Sequence, residues 1–100
     1  MLAHNIHVNS FTELRTLVYE TLCNDEQIEP GAFPMTQRIL TRGNSPCGIY
    51  FCLHGPRSVK CTSIWETDQN TILFYGNGGV RFQKTHLASA PELESEANLA

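Results

Sequence analysis

A chain of 100 residues with 41% apolar and 17% charged residues has the length of one domain and the composition of a folded rather than a disordered protein. It holds no apolar run near the ~18–20 residues that a membrane span needs, and its first residues, MLAHNIHVNS, lack the basic and apolar regions of a secretory leader. Cys23, Cys47, Cys52 and Cys61 form no CxxC pair, so the expected location is cytoplasmic, with reduced thiols.

The formal charge of −3 conceals a division along the chain. Residues 36–87 carry six basic groups against Glu66 and Asp68, whereas the rest carries Arg15 against eight acids. A basic region of this kind attracts anionic partners unless its own acidic flanks neutralise it.

Residues 4–8, HNIHV, alternate weakly and suggest at most a short edge strand. Ser10 and Glu13 then spell a capping box, in which the serine hydroxyl meets the Glu13 amide and the carboxylate reaches back to Ser10. Phe11, Leu14, Val18 and Leu22 recur at helical spacing with Leu17 beside them, which predicts an amphipathic helix ending near Asn24 and Asp25. Residues 24–35, with two prolines and a glycine, form a loop. Its Ile28 and Phe33 are expected to lie on the core.

From Thr36 onward the period becomes that of strands. TQRILTR, CGIYFCLH, SVKCTSIWE, TILFY and VRFQKTHL are separated by turn residues at hairpin spacing. The fold class is therefore α+β: one N-terminal helix packed on one face of a five-stranded antiparallel meander sheet. The domain spans residues 1–87, and residues 88–100 form an acidic C-terminal tail expected to be disordered.

Pairing Leu53 with Val59 across the HGPRS loop sets Phe51 against Cys61, Ile49 against Ser63 and Cys47 against Trp65. Closing the next hairpin sets Trp65 against Ile72 and Ser63 against Phe74. With Leu40 these residues make an apolar face for the helix. The opposite face holds Ile39, Tyr50, Cys52, His54, Lys60, Thr62, Ile64, Leu73 and Tyr75, with Tyr50, Thr62 and Tyr75 in one row and Lys60 beside Cys52. One helix cannot cover both faces, so the second is open, covered by the 24–35 loop, or buried in a dimer. Two-residue and three-residue readings of the Gly76–Gly79 turn send Arg81 and Phe82 to opposite sides.

Residue types suggest a zinc site at Cys47, Cys52, His54 and Cys61, but strand alternation splits the four between faces, and neither a metal nor a cofactor is expected. A thiolate at Cys52 beside Lys60 would lack a carboxylate to orient His54, and the acids Glu66 and Asp68 sit in a turn, so an enzymatic role is disfavoured. The expected function is a small protein-interaction or assembly module, compatible with a homodimer, that uses the mixed sheet face. The alternative is binding of an anion or nucleic acid through the Arg57 loop and the basic sheet region. Candidate binding residues are Tyr50, His54, Arg57, Lys60, Thr62, Tyr75 and Arg81.

Overall fold

The computed structural model describes residues 6–89. Among them the elements run β1 (Ile6–His7), α1 (Phe11–Glu26), β2 (Met35–Arg42), β3 (Ser45–His54), a 3-10 turn (Pro56–Ser58), β4 (Lys60–Glu66), β5 (Thr71–Tyr75) and β6 (Arg81–Ser89). The five expected strands pair as an antiparallel meander, and β1 adds a sixth, parallel to β6, giving the spatial order β1-β6-β5-β4-β3-β2. The sheet is therefore mixed and six-stranded, not five-stranded and antiparallel. Two residues are too few to show a period of two, but Val8 anchors the added edge: its amide donates to the Ser89 carbonyl at 2.9 Å and its side chain is buried. Strand β6 runs to Ser89, so the expected tail of residues 88–100 lies outside the described residues from position 90 onward.

Helix α1 begins where the capping box requires. The Glu13 amide donates to Ser10 Oγ at 3.1 Å, while the Glu13 carboxylate accepts from the Asn9 amide, one residue earlier than the motif predicts. The helix continues to Glu26, and Gln27 closes it in the left-handed region. Leu14, Val18 and Leu22 are fully buried, each contributing about 1.5–3 kcal/mol of burial. They face Ile49, Phe51, Trp65, Ile72 and Phe74, all buried on the same side of the sheet, and the Phe11 and Phe51 rings stack at 6.4 Å.

The connection from α1 to β2 stays on the helix side. Tyr19 Oη donates to the Phe33 carbonyl and accepts from the Gly31 amide, both at 2.7 Å. Ile28 and Phe33 pack against the core edge. Arg15 ties the helix to β2, donating to Gln37 Oε1 and to the Met35 carbonyl, each at 2.7 Å. This fixes the sides of β2: Met35, Gln37 and Ile39 share the helix side, with Ile39 opposite the buried Ile49, and Leu40 lies opposite Gly48 on the other face. The expected sides of Ile39 and Leu40 are thus exchanged. Adjacent isoleucine and leucine leave the alternation ambiguous, and a bulge after Leu40 obscures it further.

Candidate functional site

The sheet face away from the helix is built from the side chains that alternate with the core. The β3–β4 hairpin decides its layout. Arg57 (φ 53) and Ser58 (φ 65) both adopt left-handed backbone, and the Gly55 amide closes on the Val59 carbonyl at 2.8 Å. The loop therefore includes Val59, and the first ladder pair is His54 with Lys60. Leu53 meets Cys61, Phe51 meets Ser63 and Ile49 meets Trp65, each displaced by two residues from the expected pairing. A displacement of two preserves the face of every side chain. The next hairpin has the expected register, with Trp65 on Ile72 and Ser63 on Phe74.

The displacement changes neighbours within the face. Tyr50, Thr62 and Tyr75 do not form one row: Thr62 lies between Cys52 and Tyr75, whereas Tyr50 lies one row away beside Ile64. Lys60 stands beside His54 rather than Cys52. One row crosses five strands as Arg38, Tyr50, Ile64, Leu73 and Lys84. Its two outer cations were not among the candidate residues. Arg38 was hidden by the ambiguous side of β2, and Lys84 by the bulge between Phe74 and Tyr75, which is absorbed at Phe82.

That bulge also settles the last hairpin. Its loop runs from Gly76 to Val80, where the Gly76 amide donates to the Val80 carbonyl at 3.0 Å, longer than either expected turn. Phe82 packs on Phe74 in the core, at a centroid distance of 6.0 Å, and Arg81 pairs with Tyr75.

The candidate residues separate into two groups. Tyr50, Thr62 and Tyr75 are half-buried on the strand surface, together with Ile64, Leu73 and Leu40. Nothing described packs above them: α1 and the 27–34 loop both lie on the other side. His54, Arg57, Lys60 and Arg81 gather toward the end that carries the β3–β4 and β5–β6 loops, where the Lys60 amide donates to Asn77 Oδ1 at 3.1 Å. His54 Nε2 is 3.0 Å from Thr36 Oγ1. Glu26 from the helix terminus accepts from the Asn77 amide at the same end, and Asp25 lies beside Gly76, so acids oppose the basic groups there.

At the other end of the face, Leu40, Gly48, Ile64 and Glu66 line a cleft of about 270 Å³ with Cys47 in its wall. Arg42 and Asp68 close its rim at 2.9 Å. The thiols point to no shared chemistry. Cys61 is buried in the core, and burial pushes its thiol up to about 11; Cys52 is buried on the opposite face. Among the described residues no group of three His, Cys, Asp or Glu side chains could hold a metal ion, and no helix is long and apolar enough to cross a membrane. Comparison with protein-family models, with curated proteins and with solved structures returns no match, so the site is read from its own geometry.

Proposed function

We propose that the chain is a small, non-enzymatic protein-interaction module that binds through the open face of its sheet. The observation that carries this reading is the row Tyr50, Ile64 and Leu73, one large side chain on each of three adjacent strands, with Leu40 and Tyr75 nearby and no described element above it. A water-facing sheet surface ordinarily alternates to polar residues. Apolar and aromatic groups concentrated at the centre of a surface, with charges at its margin, have the composition of an interface core and rim.

The test pairs partner recovery with mapping. Ile64→Glu combined with Leu73→Glu is expected to abolish capture of partners that the unaltered chain retains, while Glu20→Gln on the exposed side of the helix leaves capture intact. Melting curves establish that the double variant remains folded. A folded double variant that retains the same partners overturns the proposal.

Anion or nucleic-acid binding at the Arg57 end has weaker support. Arg57, Lys60 and Arg81 are exposed there, but Asp25 and Glu26 converge on the same loops.

A further inference from the structure

We infer that the partner of the open face is an acidic polypeptide segment with an apolar stripe, whose carboxylates meet Arg38 and Lys84 at the two ends of the central row. This inference rests on the interaction face proposed above. Arg38 sits on β2 and Lys84 on β6, each directly beside an end of the Tyr50, Ile64 and Leu73 row. Four strand spacings separate them, or about 19 Å. Arg81 beside Tyr75 and Lys60 beside His54 lie on the same face but toward the end that Asp25 and Glu26 approach, so Arg38 and Lys84 are the pair that marks the row. Among the described residues none of these four has a carboxylate partner, and the ion pair found there is Arg42 with Asp68. Glu66 is the one acid on the strands of this face.

Three occupants compete for such a surface, and charge separates them. A second copy of the chain, applied face to face, would oppose cations with cations, which costs affinity instead of supplying it. A single-stranded nucleic acid would satisfy the cations but leave Ile64 and Leu73 against sugar and phosphate, and the two tyrosines are separated by β4 and by one row. Nucleic-acid stacking favours flat rings along a continuous track. An acidic segment satisfies both features: its apolar stripe removes the central row from water, and its carboxylates pair with cations that have no carboxylate partner among the described residues. About 13 residues of helix span the 19 Å between Arg38 and Lys84.

Titration of the isotopically labelled full chain, followed by amide chemical shifts, tests the inference with four probes. These are a 15-residue helical peptide with a leucine stripe and glutamates, the same stripe with lysines, the glutamate peptide with serine in place of leucine, and a 15-mer of thymidine. The acidic leucine peptide is expected to bind best and to move the amides of Tyr50, Ile64 and Leu73. Its affinity should fall about tenfold in the double variant Arg38→Glu, Lys84→Glu, which should then favour the lysine peptide. Equal binding of the two leucine peptides, lost on Ile64→Glu with Leu73→Glu, overturns the acidic partner and leaves the interaction face standing. A concentration-dependent dimer that the same apolar double variant dissociates has that same meaning. Binding of the thymidine 15-mer undisturbed by the Ile64 and Leu73 changes, or absence of binding by any of the four probes to a chain that stays monomeric, overturns both.

Discussion

Replacing Ser63 by alanine is expected to stabilise the protein, although Ser63 lies at the centre of the core. Its side chain is fully buried between Phe51 on β3 and Phe74 on β5, and its Oγ has no hydrogen-bond partner among the described residues. An unpaired buried hydroxyl costs about 1–3 kcal/mol relative to its hydrated state in the unfolded chain. Alanine removes that cost and forfeits the dispersion contacts of one atom, a few tenths of a kcal/mol up to about 1. The net gain is about 1 kcal/mol, which corresponds to a rise in Tm of about 4–8 °C for a domain of this size. Thermal melts followed by circular dichroism, with urea titrations to verify an unchanged m-value, measure it. A Ser63→Ala variant less stable than the parent would refute the reasoning, because it would mean that the hydroxyl forms a bond in the native state.

Gly48→Ala should have the opposite effect. A methyl group there would collide with the Trp65 carbonyl oxygen of the neighbouring strand, so β3 and β4 must separate locally; overpacking and a weakened ladder together cost about 3–4 kcal/mol, and urea titration showing a loss below about 1 kcal/mol would contradict the close approach. Asp25 supplies a pH-dependent case. Burial, with Glu26 as the second cause, raises its carboxyl above the ordinary value, so the native state holds this proton more tightly than the unfolded state, and the associated stability is full at low pH and lost as pH rises through the raised value. Asp25→Asn should therefore raise Tm by about 2 °C at pH 7, the scale of a screened surface interaction, and by much less near pH 3.5; an equal effect at both pH values would exclude the ionisation as its cause.

The parts of the fold legible in the sequence are those in which side-chain period and turn chemistry agree. Ser10 and Glu13 mark the helix start, and the Thr67–Asn70 turn sets the β4–β5 register because Asn70 adopts the left-handed conformation (φ 51) that asparagine tolerates. The β3–β4 register differs from the expected one for the converse reason: Arg57 and Ser58 take the same conformation without being glycine or asparagine, so residue type gives no sign that the loop is longer. Strand β1 is held by pairing with β6 rather than by its own pattern. The composition of the candidate face depends only in part on these registers. Tyr50, Thr62 and Tyr75 kept their side because a two-residue displacement cannot turn a strand over. Arg38 and Lys84 depend on a bulged edge and a bulged hairpin, features that alternation alone does not report.

The openness of that face follows from the ratio of elements. Six strands at about 4.8 Å make a sheet about 24 Å wide, whereas a helix with its side chains is about 10–12 Å across. Helix α1, aided by the 27–34 loop and by Val8, suffices for one side. With the other side lacking any described cover, Tyr50, Ile64 and Leu73 are only partly buried in the middle of the sheet. Folding alone supplies no reason for them to be apolar, since polar residues at these positions would leave the helix-side core untouched and β-branched threonine would serve the strands as well. Their size and adjacency, with cations at both ends of their row that have no carboxylate partner among the described residues, are the observations on which the proposed binding surface rests.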